Sequence, residues 1–184
     1  MSRNLRGELD RLTNPPEELN RNSPATEWDA WLEAQVKNLS ALASTHPHDI
    51  RLCDLGQADD ARNCFMFALG IDPEAIADMT LGPIFPGRAF VAALIEGKVL
   101  RLKTTDLTAA KDGDIVVYFR DGQPQHAGLV RSGRIISKWG SGPTSVWDHP
   151  PFEVPQSYGD HVEIYYPLTD AESIYLNWAE TRGL

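Results

Sequence analysis

The sequence predicts an α+β fold in which helices come first and an antiparallel sheet follows. Over residues 26–43, apolar side chains recur at helical spacing, which predicts an amphipathic helix. After Gly97 the pattern changes to short segments that are rich in β-branched and aromatic residues and are separated by turn residues. Such segments are typical of strands joined by hairpins. Helices followed by strands are the order expected of an α+β protein.

The chain is expected to consist of a short arm and one domain. Residues 1–25 are polar and charged and carry the turn-forming stretches NPPEE and NSP, so an irregular N-terminal arm is expected there. The whole chain is 184 residues long and 42% hydrophobic, which is enough to bury one core. We therefore expect a single α+β domain over residues 26–184.

The individual elements are predicted from periodicity and from end signals. Thr26 is the expected cap of the first helix, and the loop PHDIRLCDLGQADDARN follows that helix. A second helix is predicted over GRAFVAALIEG, where Gly97 ends it, and DAESIYLNWAETRG predicts a closing helix. The predicted strands are KVLRLKT, GDIVVYF, HAGLVR, RIISKWG and HVEIYYP.

Charge and hydropathy exclude several classes of partner. The chain has 17 basic and 26 acidic residues and a formal charge of −9, whereas binding to phosphates or to an anionic membrane requires a basic face. We therefore expect no nucleic-acid partner and no membrane partner. The N-terminal stretch shows no apolar core of a signal peptide, so the expected location is the cytoplasm, with signal-independent export left open. The oligomeric state is also left open.

The cysteines and histidines do not form a metal-binding pattern. Cys53 and Cys64 are too few for a disulfide framework, and neither has a partner at CxxC spacing. The five histidines are scattered at positions 46, 48, 126, 149 and 161. Neither a metal nor another cofactor is expected.

Cys64 heads the apolar run CFMFAL, and two interpretations of it are open. It is either a small core residue or a nucleophile at the start of a helix, where backbone amides and the helix dipole favour a thiolate. Asp59, Asp60 and Asn63 are the candidate cap residues. In the second interpretation, Cys64 lies in the first turn and its pKa is depressed.

His126 begins a predicted strand and is the candidate base for such a thiol. A two-residue hairpin at RSGR pairs Arg131 with Arg134. Counting back along the strands places Ser137 on the face of His126 and turns Lys138 to the other face. Ser137 is then the preferred group for orienting His126, and Lys138 is the alternative if the register shifts by one residue.

The order of these features resembles the NlpC-type papain-like cysteine hydrolases. NCFMFAL stands where that family has a stretch like Asp-Cys-Ser-Gly-Phe. GDIVVYF is similar to its Gly-Asp-Leu-Val-Phe-Phe strand, and HAGLV is similar to its His-Val-Gly-Ile-Tyr strand. The resemblance covers about residues 60–140 and implies a papain-like domain in which a helix carrying the cysteine packs on a small antiparallel sheet.

The resemblance also implies the roles of individual residues. Cys64 matches the nucleophile, His126 matches the base, and the third catalytic position falls at Ser137 or Lys138. Asn63 stands where the family has an aspartate. Gln57 lies seven residues before Cys64, near the position of an oxyanion-hole glutamine.

The function implied is a thiol hydrolase, a cysteine peptidase or amidase that cleaves a peptide or small amide. A thiol acyltransferase and a non-catalytic binding module on the same fold are the alternatives. No cofactor is implied by this chemistry.

The segment from Ser137 to Asp160 combines aromatic residues with glycines and prolines. One interpretation makes its aromatic residues a rim over the substrate cleft, with Trp139 and Trp147 as the main candidates beside Phe152 and Tyr158. The other is a long loop whose aromatic residues cover the edge of the sheet. His149 and His161 are expected to be bystanders.

Overall fold

The computed structural model describes residues 3–20, 22–57, 60–77, 86–140 and 143–184. Its helices are α1 (Arg3–Thr13), α2 (Ala25–Leu42), α3 (Cys64–Leu69), α4 (Pro73–Ala77), α5 (Arg88–Glu96) and α6 (Ala171–Glu180). Its strands are β1 (Arg51–Asp54), β2 (Leu102–Thr104), β3 (Ile115–Arg120), β4 (Gln123–Arg131), β5 (Arg134–Lys138), β6 (Val146–His149) and β7 (His161–Tyr165). Two 3-10 turns lie at Leu107–Ala109 and Gln156–Tyr158.

The described strands form one seven-stranded sheet in the order β1-β6-β5-β4-β3-β7-β2, with antiparallel neighbours throughout. The α+β class predicted from the sequence is confirmed. Within the described ranges, no helix combines the length and apolar character needed to cross a bilayer.

The sheet is covered on both faces, and the two faces carry separate clusters of buried side chains. The front cluster joins α3, α5 and α6 to Val117 and Ala127 of the sheet. The back cluster joins α1 and α2 to Val116 and Tyr118. Because successive side chains of a strand point to opposite faces, neighbouring residues of β3 and β4 belong to different clusters.

The expectation of an irregular arm over residues 1–25 is wrong for α1. Leu5 and Leu9, four residues apart, form an apolar stripe and are buried in the back cluster. The segment is polar on average, but this short stripe is enough to dock one helix on the sheet.

Two local predictions near the first helix are also wrong. The cap residue of α2 is Pro24 rather than Thr26, and no side chain caps this helix. The expected loop over residues 47–63 contains β1, which pairs with β6 at the edge of the sheet. All four residues of β1 are exposed, so the strand has no apolar alternation from which it could be predicted.

The other helices and the strands largely follow the sequence prediction. Each of the five predicted strand segments contains a strand, α5 ends at Gly97, and α6 closes the chain. The hairpin turns at Ser132 and Gly133, both with positive φ (51° and 73°), and Arg131 pairs with Arg134 as expected.

Among the described residues the pairing of strands β4 and β5 ends at Leu129 and Ile136, and the point where it ends is here called the fork. Just beyond it, a Cβ on Gly128 would lie 2.7 Å from the carbonyl oxygen of Ile136 and 2.9 Å from the Cβ of Ser137. Only glycine fits this close approach, and Ala127 and His126 follow it into the fork.

Candidate functional site

Cys64 is the first residue of α3, and Asn63 is the cap of that helix. The Asn63 side-chain oxygen accepts from the backbone N–H of Met66 at 2.9 Å, and its Nδ2 donates to the carbonyl oxygen of Pro86 at 2.8 Å. The prediction that Cys64 lies in the first turn is confirmed. Of the other cap candidates, Asp60 is bound elsewhere and Asp59 lies outside the described residues.

The environment of the Cys64 thiol is buried and rich in backbone amides. Burial raises the pKa of the thiol to about 11, although the amides of Ala127, Phe65 and Cys64 itself favour the thiolate. The expected depression of this pKa is therefore wrong for the structure described. Cys64 as a whole residue is 8% exposed, and the loss of water outweighs the effect of the amides.

His126 lies one residue before Ala127 and points to the other face of the sheet. It pairs with Tyr118 of the back cluster, whereas Ala127 belongs to the front cluster with Cys64. Neither ring nitrogen of His126 has a hydrogen-bond partner among the described residues, so the Cys64–His126 hydrogen bond of an assembled catalytic pair is not formed. Burial, with His149 nearby, lowers the pKa of His126 well below its usual value.

The ring of His126 is stacked on Tyr158, with centroids 3.8 Å apart and planes 8° from parallel. The pKa of Tyr158 is raised well above its usual value, chiefly by burial and next by the neighbouring Cys64. The phenol therefore lies against His126 and near Cys64. In the sequence Tyr158 stood out only as one of the aromatic residues of the segment from Ser137 to Asp160, and no pattern linked it to His126.

Ser137 does not orient His126. It lies on the back face as predicted, but its hydroxyl bonds to Nε2 of His149 at 2.8 Å and accepts from Nε1 of Trp139 at 3.0 Å. Nδ1 of His149 lies 2.9 Å from the carbonyl oxygen of Pro150, which can only accept. We therefore assign the proton of His149 to Nδ1, with Nε2 accepting from Ser137. His149, expected to be a bystander, is the partner of Ser137.

Lys138 points away from the back face, as the hairpin register predicted. Its Nζ is buried and donates to Oδ2 of Asp60 at 3.0 Å and to the carbonyl oxygen of Thr144 at 2.6 Å. Burial lowers the pKa of Lys138, although the bond to Asp60 acts in the opposite direction. Lys138 thus anchors the loops around the fork and makes no hydrogen bond to His126.

Gln57 lines a small cavity beside this anchor. The cavity has a volume of about 120 Å³, and its lining includes Asp60, Arg62 and Thr144 but not Cys64. Gln57 therefore lies in the wall of a cavity that Cys64 does not line, and its oxyanion role stays a prediction. Among the described residues, no three His, Cys, Asp or Glu side chains are grouped as metal ligands would be.

Trp139 and Trp147 are core residues, and the interpretation of them as an exposed rim is wrong. Each is 1% exposed and belongs to the back cluster. Part of the predicted long loop is β6, in which Trp147 pairs with Ser137 and faces inward. VWDH has two apolar residues followed by two polar ones, so a period-two pattern could not have predicted this strand.

We expect opposite changes in the free energy of unfolding when each of the two buried histidines is replaced by leucine. His149→Leu removes a ring whose nitrogens are both bonded and should lower the free energy of unfolding by about 1–3 kcal/mol. His126→Leu removes two buried nitrogens without partners and should raise it by about 1–2 kcal/mol, since the apolar chain has no polar group to desolvate. Urea unfolding of both variants measures this, and a destabilised His126→Leu protein would contradict the described environment of His126.

The fold and the site together define an α+β protein with a buried thiol at the start of a short helix, next to a fork in its sheet. A family model described as a domain of unknown function, DUF7689, matches residues 54–166, which is more than half of the chain. The chain belongs to this family. No curated protein and no solved structure matches it.

Proposed function

We propose that this protein is a thiol hydrolase of NlpC-type papain-like architecture that cleaves an amide bond in a peptide or small molecule. Its expected place of action is the cytoplasm. Cys64 is the nucleophile and His126 is the base. The observation that carries the proposal is the placement of the Cys64 sulfur among the amides of Ala127, Phe65 and Cys64 at the start of α3.

In the proposed reaction those amides form the oxyanion hole. The Cys64 thiol loses its proton to His126, and the sulfur attacks the carbonyl carbon while backbone N–H groups stabilise the oxyanion. The amine leaves with the proton from His126, and water then hydrolyses the thioester and regenerates the thiol. In the described arrangement His126 lies on the back face in a stack with Tyr158, whereas Cys64 belongs to the front cluster, so the reaction requires this part of β4 to rearrange until the imidazole reaches the thiol.

The test is an intact-mass search for an acyl adduct after the protein is incubated with the peptide and metabolite fraction of a cell extract. We expect an adduct on the peptide containing Cys64, its loss in Cys64→Ala, and slower formation in His126→Gln. Cys53, an exposed thiol in the same chain, is the internal control for non-specific acylation. An adduct on Cys53 alone would contradict the proposal.

Hydrolysis and acyl transfer differ in the final acceptor. With water labelled by oxygen-18, a hydrolase releases a labelled acid. An acyltransferase instead joins the acyl group to an added amine. This comparison assigns the second half of the reaction once the adduct is found.

A non-catalytic binding module is the second candidate. The raised pKa of Cys64 and the unbonded ring of His126 favour it, because neither group is in a reactive state in the described arrangement. In a binding module, Cys64→Ala and His126→Ala both leave biological activity intact. In the hydrolase, each of them removes it.

A further inference from the structure

Residues 154–159, here called the strap, cover the candidate site from the back face. The strap carries Tyr158, whose ring lies flat on His126 at 3.8 Å between centroids. The phenol also lies near Cys64 and near the backbone N–H of Gly140. One side chain of the strap therefore covers the base and lies close to the thiol.

The strap is fastened by α1. Arg6 donates from Nε to the carbonyl oxygen of Val154 at 3.0 Å and from Nη2 to that of Gly159 at 2.6 Å, so it holds both ends of the strap. Its side chain is 12% exposed, and it also pairs with Asp160. One turn along the helix, the carboxylate of Asp10 accepts from the backbone N–H of Ser157 at 3.0 and 3.2 Å.

The strap also lies directly on β3. Gly159 has φ of 100°, and a Cβ there would lie 2.0 Å from the carbonyl oxygen of Phe119, so no other residue fits this contact. Arg120 of the same strand donates to the carbonyl oxygen of Gln156 at 2.5 Å. The strap thus has a defined closed position rather than a loose one.

We propose that the strap holds the Cys64–His126 site in a latent state and that α1 is the latch that keeps the strap closed. The proposal rests on the proposed function for the identity of the site it regulates. Release of Arg6 and Asp10 lets the strap lift Tyr158 away from His126. The imidazole is then free to turn, and water reaches the thiol. The amides around Cys64 that are outweighed by burial in the closed state then act on a hydrated sulfur.

The family match supports a separation between the strap and the latch. Residues 54–166 include Cys64, His126 and the whole strap, whereas α1 lies outside the matched range.

The test measures access to Cys64 with iodoacetamide, with Cys53 as the internal reference. The variants Arg6→Ala and Asp10→Asn remove the latch contacts, and Arg11→Ala is the matched control because Arg11 pairs only with Glu8 of the same helix in the described contacts. Peptide mass spectrometry gives the ratio of the two alkylation rates in each protein. We expect the Cys64:Cys53 ratio to rise about tenfold in each latch variant, since bonds to charged groups are lost, and to stay unchanged in Arg11→Ala.

A second pair of variants changes the strap itself and tests the same proposal if Arg6→Ala unfolds the protein. Tyr158→Ala leaves the bonds of α1 in place and removes the ring, so the ratio should again rise about tenfold. Tyr158→Phe keeps the stacked ring and should stay near the wild-type ratio. Unchanged ratios in the folded latch variants and in Tyr158→Ala would overturn the proposal.

The two proposals fail separately. Alkylation reports access and needs no turnover. If the latch variants raise the alkylation ratio but no acyl adduct forms, the hydrolase proposal is refuted and the strap proposal is retained. If an acyl adduct forms but the alkylation ratios are unchanged, the strap proposal is refuted and the hydrolase proposal is retained.

Discussion

At neutral pH, iodoacetamide should alkylate Cys64 of the wild-type protein at least tenfold more slowly than an ordinary free thiol. The thiolate is the reactive form, and burial raises the pKa of Cys64 from 9.0 to about 11, which lowers the thiolate fraction about a hundredfold. The higher nucleophilicity of a more basic thiolate offsets up to about tenfold of this. Because the sulfur is also shielded from the reagent, the alkylation rate should fall further than the remaining reduction of about tenfold.

The pH profile separates the two causes of slow alkylation. For a thiol with its pKa near 11, the rate should keep rising about tenfold per pH unit through pH 9 and beyond, where a free thiol levels off. Alkylation of Cys64 and of a small-molecule thiol, measured side by side across the alkaline range, gives this comparison. Faster reaction at Cys64 than at the small thiol at neutral pH would mean that the thiolate is already formed, and the latent state would be excluded.

Acidification from pH 6.5 to about 4 should lower the free energy of unfolding by about 3 kcal/mol or more. Burial lowers the pKa of His149 to about 4, against the 6.5 expected in the unfolded chain. Between these values the unfolded chain binds a proton that the folded protein does not, so stability is present above pH 6.5 and is lost as the pH falls toward 4. The shift of about 2.5 units corresponds to about 3 kcal/mol, and the lowered pKa of His126 acts in the same direction.

Urea unfolding at neutral pH and near pH 4.5 measures this loss. His149→Phe removes one of the two titrating groups and should reduce the difference between the two pH values, whatever it does to stability at neutral pH. His46, a partly exposed histidine outside both buried clusters, supplies the matched control, and His46→Phe should leave the difference unchanged. Equal pH dependence in all three proteins would contradict the protonation states assigned to the buried pair.

Several features of the site could be predicted from the sequence because they depend on local geometry. Asn63 caps α3 and puts Cys64 in its first turn, since an asparagine before an apolar run satisfies an amide of the next turn. The tight turn at Ser132 and Gly133 fixes the register, and alternation then sends Ser137 and Lys138 to opposite faces of β5. Neither result needs a contact between distant segments.

The partners of those side chains could not be predicted in the same way. Ser137 bonds to His149 rather than to His126, because β6 lies beside β5 and brings the second histidine within 2.8 Å. The exposed pattern of β1 resembles loop sequence, since an edge strand needs no apolar alternation, and the aromatic residues of β6 lie among glycines and prolines. The two tryptophans that were interpreted as a cleft rim are buried because they pack in the back cluster with α1 and α2.

The sequence alone determined the α+β class, the helix start at Cys64, the hairpin register and the glycine that ends α5. These depend on capping, periodicity and turn chemistry over a few residues, which act whatever the rest of the chain does. Only the tertiary structure decided the state of the site. The pKa of Cys64 depends on how much water the folded chain removes, and the position of His126 depends on which face of the sheet receives it. The closure of the site depends on Arg6, which bonds to a carbonyl oxygen 153 residues later in the chain. Burial and long-range hydrogen bonds of this kind exist only once the chain has folded, because they arise between segments whose sequences carry no signal of one another.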